Sequence, residues 1–247
     1  MKSEAYEKNY EYEDDYWWFR VRNRLVFEKA LHFSSGRRID ILDYGCGTGK
    51  MMQDLSQAGN VWGCDMSVEA LSYCRKRGLD NLIDISGGHE KLGQYDVITL
   101  LDVLEHVDDD EALLRTLKMH IKPGGRLIIT VPAFNCLWSG EDNISLHKRR
   151  YRKKMLFDIV SKCGLRPVKS SYFNMFLLLP IFLFIIYNMT FRPESREQSN
   201  LRKIPCILNK TFEFIFGMEL PLLRRFDLPL GTSILCIAEN NGENYPK

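Results

Sequence analysis

The chain has no C-x-x-C pair, almost no net charge and no apolar segment near its start, and each absence removes a class of function. Its seven cysteines, Cys46, Cys64, Cys74, Cys136, Cys163, Cys206 and Cys236, are scattered. Structural zinc sites are usually built from closely paired cysteines, so no metal site is expected. An odd, dispersed set suits free thiols in a reducing compartment, and a cytoplasmic location is expected. A net charge of +2 gives no ground for tracking phosphates, so no nucleic-acid partner is expected. The opening residues are acidic and aromatic and lack the apolar core of a secretory signal.

What is present is an ordinary globular composition, 45% hydrophobic and 27% charged, over 247 residues. That length suits one domain, 1–247, with additions to it. Residues 1–35 form an aromatic start, closing on Tyr16-Trp17-Trp18-Phe19, followed by a helix from Arg20 to about Phe33. Five short apolar runs follow: Ile39 to Asp43, Asn60 to Asp65, Asn81 to Asp84, Tyr95 to Leu101 and Gly125 to Pro132. Helical stretches near 49–58, 67–77 and 109–120 separate them. Strands alternating with helices predict a parallel sheet covered on both faces. A basic helix is expected near 151–163, a sixth strand from Arg166 to Phe173 and a seventh from Gly231 to Ala238. The hydrophobic segment 174–229 lies between those two strands as an insertion.

The turn Asp43-Tyr44-Gly45-Cys46-Gly47-Thr48-Gly49 follows a strand and opens a helix, the setting in which a glycine cluster binds a ligand. A phosphate-binding P-loop fails, because Tyr44 replaces its first glycine and Met51 its Ser or Thr. A dinucleotide fingerprint fails, because its third glycine falls one residue early. What remains is G-x-G-x-G preceded by an acid, Asp43, with a second acid, Asp65, closing the next strand. A carboxylate there holds ribose hydroxyls through charge-assisted hydrogen bonds.

This motif resembles the first motif of class I S-adenosylmethionine-dependent methyltransferases. Tyr95-Asp96-Val97-Ile98 with Leu101-Asp102-Val103-Leu104-Glu105-His106 resembles that family's fourth-strand motif, and Lys122-Pro123-Gly124-Gly125 its next turn. The resemblance covers about 17–173 and the last strand. It implies a Rossmann-like α/β fold, a doubly wound, mostly parallel seven-stranded sheet with the last strand antiparallel beside the fifth. It implies S-adenosyl-L-methionine as cofactor and binding residues Asp43, Gly45, Cys46, Gly47, Asp65, Met66, Leu101 and Asp102. Gly88 stands where family members often place an acid for the adenine, so His89 or backbone groups are expected to serve instead.

Methyl transfer needs alignment of the acceptor and often a proton acceptor. The candidate catalytic residues are Asp102, His106 and His147, with Tyr151 beside them. His106 has the alternative of merely ordering its loop. The segment Phe134 to Tyr151, like the aromatic start, resembles a subgroup found among glycan- and lipid-biosynthesis methyltransferases, and both are expected to cover the site. For the Trp pair the alternative is packing the first helix on the sheet. The basic run Lys148 to Lys154 has three readings: a solvated helix start, a phosphate clamp or a face for anionic lipid.

From Ser170 to Phe191 there is no charge. A single membrane span is not expected, because it would separate the seventh strand from its sheet. A hairpin or interfacial helix is expected, paired with the apolar stretch Phe212 to Leu223, and Pro180 should kink or break it. Arg192, Arg196, Arg202 and Lys203 lie between the two stretches. The leading expectation is therefore methyl transfer to a small-molecule, lipid or lipid-linked acceptor by an enzyme peripheral to the inner face of a membrane. The alternatives are a soluble small-molecule enzyme whose insertion is a lid or homodimer interface, a non-catalytic module keeping the fold, and, more distantly, an NAD-dependent reductase.

Overall fold

The computed structural model describes residues 3–192, 194–195 and 198–242. Arg196 lies outside them. Helix α1 (Ser3–Tyr12) is followed by α2 (Trp17–Ser34), whose Val21, Leu25, Val26 and Ala30 are buried at helical spacing. Ser35 and Gly36 end α2 with left-handed backbone. Strand β1 (Ile39–Tyr44) leads through the glycine turn into α3 (Lys50–Leu55), β2 (Gly59–Asp65), α4 (Val68–Lys76), β3 (Leu82–Asp84) and β4 (Tyr95–Leu101). Then come α5 (Asp110–Met119), β5 (Ile121–Pro132), α6 (Gly140–Ile144), α7 (Lys153–Lys162) and β6 (Arg166–Phe173). The insertion supplies α8 (Leu178–Phe191), α9 (Cys206–Gly217) and α10 (Glu219–Arg225) before β7 (Ser233–Glu239).

The sheet has seven strands in the order β3-β2-β1-β4-β5-β7-β6. β1 to β5 are mutually parallel, while β7 runs antiparallel between β5 and β6. This is the expected Rossmann-like methyltransferase fold with a helical insertion before the last strand. Strand order reverses between β1 and β4, so the loops leaving those two strands flank the crevice where such sheets bind ligands. Central strands are buried on both faces, which explains their continuous apolar runs.

Three local expectations change. Pairing of β5 begins at Ile121, not Gly125: Ile121 faces Tyr95, then Arg126 faces Val97, and the residues between loop out. Pro180 neither kinks nor breaks α8, because it sits in the first turn, where a missing N–H removes no helix bond. And α1 has no counterpart in the sequence reading. Glu13, just after it, is tied by Thr48 and by Arg77, whose Nη2 lies 2.9 Å away, and this holds α1 over the start of α3.

Among the described residues no helix is long and apolar enough to cross a membrane. The insertion packs on α2 instead. Trp17 meets Phe212 and Phe216 edge-on, its backbone N–H donates to Asn209 Oδ1 at 3.0 Å, and Arg20 pairs with Glu213 at 2.9 Å.

Candidate active site

The turn after β1 needs left-handed backbone at Gly45, Gly47 and Gly49, with φ of 71°, 54° and 90°. A Cβ on Gly45 would stand 2.5 Å from the Val103 side chain, so the turn lies directly against the end of β4. A Cβ on Gly47 would meet nothing within 4 Å and would project into open cavity, leaving the backbone accessible to a ligand. Asp65, at the end of β2, is buried; its Oδ2 accepts from Gly47 N at 3.1 Å and its Oδ1 from Ser67 N at 2.8 Å. Burial pushes its carboxyl up from the ordinary value. Asp43 is deeper, held by the Thr99 hydroxyl at 2.6 Å, and burial raises its carboxyl to about 6.

A cavity of about 880 Å³ runs from this turn past the end of β4 to the inner sides of α8 and α9. Asp43, Gly45, Cys46, Gly47, Asp65, Met66, Leu101 and Asp102 all line it, as do His106 and His147. Met66, 71% exposed, is at the rim and Ile85 lies inside, so a flat ring would find apolar contacts beyond Asp65. Exposed glycine backbone, a buried acid and this apolar shelf fit an amino-acid tail, a ribose and an adenine.

Asp102 follows β4 with a left-handed φ of 54°. Arg22 reaches from α2 to donate to its Oδ2 at 2.9 Å, while the guanidinium lies over the rings of Trp18 and Phe19, 4.9 Å and 5.6 Å from their centroids. The aromatic start is thereby fastened to the β4 end of the site. Beyond Asp102, the rings of His106 and His147 meet edge-on at 4.6 Å. Burial lowers the His106 imidazole to about 4. His147 Nδ1 lies 2.9 Å from Asp142 Oδ1, and Arg150 grips the same carboxylate at 2.7 Å and 2.8 Å. Burial alone would raise Asp142, but those partners hold it well below the carboxylate range.

With this geometry in place, comparison with known proteins decides the family. The model of a methyltransferase domain matches residues 11–165. The chain belongs to the methyltransferase domain family. Among curated proteins, this methyltransferase-family chain is similar to ubiquinone biosynthesis O-methyltransferases. It is 35% identical over 99 residues to that of Bordetella avium, covering 36% of this chain and 40% of the relative. It is 35% identical over 114 residues to that of Hydrogenovibrio crunogenus, covering 42% and 46%. The chain thus spans less than half the length of these relatives. Among solved structures, a SAM-dependent methyltransferase from Archaeoglobus fulgidus aligns with TM-score 0.56 at 20% identity, covering 89% of this chain and 96% of that one. The [4+2]-cyclase SpnF aligns with TM-score 0.55 at 15% identity, covering 90% and 82%. Such neighbours show the fold alone, and a fold does not fix a reaction. Family and fold thus agree with the resemblance to class I methyltransferases that the sequence motifs carry.

Three sequence-level ideas about this methyltransferase's site need correction. Tyr151 does not face the cavity. Its buried hydroxyl donates to Asp110 at 2.9 Å and lies 3.2 Å from the Leu104 carbonyl, and burial raises its phenol. His89 cannot readily replace the missing adenine acid, because its Nε2 is engaged with the Tyr44 hydroxyl at 2.8 Å and its ring stacks on Tyr44. The basic run divides: Lys148, Arg152 and Lys154 are exposed, as a solvated helix start would have them, but Arg149 and Arg150 are turned inward and form no open phosphate clamp. Arg149 pairs with Asp110 and two loop carbonyls, and Arg150 with Asp142 and the Ala133 carbonyl. Sequence reasoning missed Arg22, although its i, i+4 spacing from Trp18 was a usable signal.

Proposed function

We propose that the chain transfers a methyl group from S-adenosylmethionine to a lipid or lipid-linked acceptor that enters from a membrane surface. One observation carries this reading: α8 is apolar on two sides. Its Pro180, Ile181 and Phe184 line the cavity, while Leu179, Leu183, Ile186 and Phe191 are exposed. Across from it, α9 adds exposed Ile207 and Phe214. Large exposed apolar faces mark contact with a partner or a membrane. Here the same helix forms the wall of the acceptor space, so an apolar acceptor passes from bilayer to site without crossing water. Arg192, Arg202, Lys203 and Lys210 are exposed around this face, as anionic headgroups require.

When bound, S-adenosylmethionine supplies a methyl group already activated on sulfonium. The chain has to hold it, align the acceptor and exclude water. Asp65 is assigned to the ribose and the backbone at Gly45 to Gly47 to the methionine portion. Asp102, His106 and His147 are assigned to the acceptor side, and Trp18, Phe184 and Phe212 to the dry walls. The name of the curated relatives supports an oxygen acceptor, on a quinone precursor or a comparable polyprenyl-linked molecule.

The test uses S-adenosylmethionine labelled on the methyl, with vesicles made from cellular lipid. The protein should float with the vesicles, and label should enter the organic phase. Label confined to water-soluble products, with no protein on the vesicles, would overturn the lipid reading and favour a soluble enzyme with α8 as a lid or dimer interface.

A further inference from the structure

Glu105 is fully buried and opens on the cavity, yet neither of its carboxylate oxygens has a hydrogen-bond partner among the described residues. A buried carboxylate without a counter-charge is strongly unfavourable. The nearest cationic candidate is imidazole: His147 Nε2 stands 3.8 Å from Glu105 Oε1. The other nitrogen of that ring, Nδ1, is 2.9 Å from Asp142, whose carboxylate also accepts from Arg150 and the Ser139 N–H. Asp142 therefore accepts the Nδ1–H and leaves the Nε2 lone pair turned toward Glu105. The His106 ring lines the same cavity and meets the His147 ring edge-on at 4.6 Å. One donor atom from each of Glu105, His106 and His147 lies within 4.8 Å of the other two.

We propose that Glu105, His106 and His147 bind a divalent transition-metal ion, zinc or a first-row neighbour, and that this ion takes the oxygen of the acceptor. The second half of the proposal rests on the methyl-transfer reading; the first does not. Two imidazoles and one carboxylate form a facial set that leaves coordination positions open, here toward the cavity. Asp142 is the outer carboxylate that such liganding histidines use to fix their tautomer. Imidazole donors favour zinc, iron or nickel over magnesium and calcium. Donors about 2.1 Å from an ion stand about 3 Å apart, so loading draws the three side chains together by roughly 1–2 Å. The ion supplies the charge that Glu105 lacks. A hydroxyl bound to it gives its proton to solvent water, and the oxygen stays on the ion as an alkoxide or phenolate, ready to accept a methyl group.

The full chain, stripped with chelator, is titrated with zinc by calorimetry and with cobalt(II) by visible spectroscopy. S-adenosylhomocysteine binding is measured in the same samples. One ion per chain is expected, with cobalt bands of a histidine–carboxylate site. Asp142→Asn should weaken zinc about 10–100-fold, the usual effect of losing an outer partner, and His147→Gln and Glu105→Gln at least as much. Circular dichroism checks each variant; if Glu105→Gln does not fold, the other two carry the comparison. No binding of either ion, or variants that bind like the parent, would overturn the site. Homocysteine-cofactor binding without metal sinks only the metal site. Metal binding without S-adenosylhomocysteine binding sinks only the methyl-transfer reading.

Discussion

Asp43 and Asp65 close adjacent strands and look alike in sequence, but their surroundings divide their roles. Asp43 lies deeper in the cavity wall, where the Thr99 hydroxyl donates to it and ties β1 to β4. Among the described residues Asp65 is bonded only to backbone N–H groups, which leaves carboxylate lone pairs for a ligand on the cavity side. The same distinction applies to Tyr151, a candidate in the sequence and a buried strut in the structure. Tyr151→Phe should cost about 1.5–3 kcal/mol of stability, since it removes a buried hydrogen bond to a carboxylate. It should leave S-adenosylhomocysteine affinity unchanged. Urea unfolding and calorimetry check both halves, and a large loss of affinity would return Tyr151 to the site.

At the scale of elements, the strands and their helices were legible because buried parallel strands are continuous apolar runs and helices carry periodic stripes. Helix α1 was not legible: it holds by contacts made elsewhere, through Tyr10 on Tyr73 at 4.9 Å and Glu13 on Arg77. The Glu105–His106–His147 group was not legible either. It exists because the Lys148 N–H donates to the Glu105 carbonyl at 2.8 Å and the His147 N–H to the Asp142 carbonyl at 2.8 Å, folding the connection back over β4. The expectation of no metal site came from cysteine spacing alone and could not register such a group. Two element-level predictions follow from charge. Lys122 bridges Asp40 of β1 and Asp96 of β4 at 2.8 Å and 2.9 Å. Hydrogen bonding to Lys122 lowers the Asp40 carboxyl; for Asp96, burial pushes up but bonds from the Asp40 N–H and Lys122 win, lowering it too. Depressed carboxyls contribute stability above their unfolded values near pH 4, and that stability is lost as pH falls through the folded ones. Lys122→Met should therefore cost under about 1 kcal/mol at neutral pH, the groups being partly solvated, and the difference from the parent should shrink in acid. Melting curves across pH 3 to 7, roughly the carboxylate range, test this. The second concerns α8 and α9. Leu183→Glu with Ile207→Glu should abolish vesicle flotation while S-adenosylhomocysteine affinity and melting temperature stay near the parent's, because both side chains point outward. Unchanged flotation would remove these helices as the membrane face.

For the molecule as a whole, one cavity joins a polar end, built by the strand tips, to an apolar end, built by the aromatic start and the insertion. The polar end was readable from a local motif. The apolar end depends on α2, α8 and α9 meeting across the chain, through Trp17, Asn209 and Glu213, and no local pattern encodes that meeting. The whole arrangement depends on the cofactor occupying the glycine turn, and the most direct measurement is calorimetric titration of S-adenosylhomocysteine into the parent and into Asp65→Ala. The parent should bind, and the variant, with its melting temperature kept, should bind at least about tenfold more weakly, as expected for losing a hydrogen bond to a charged group. Equal affinities in the two proteins, or no binding by the parent, would contradict a cofactor site at this turn.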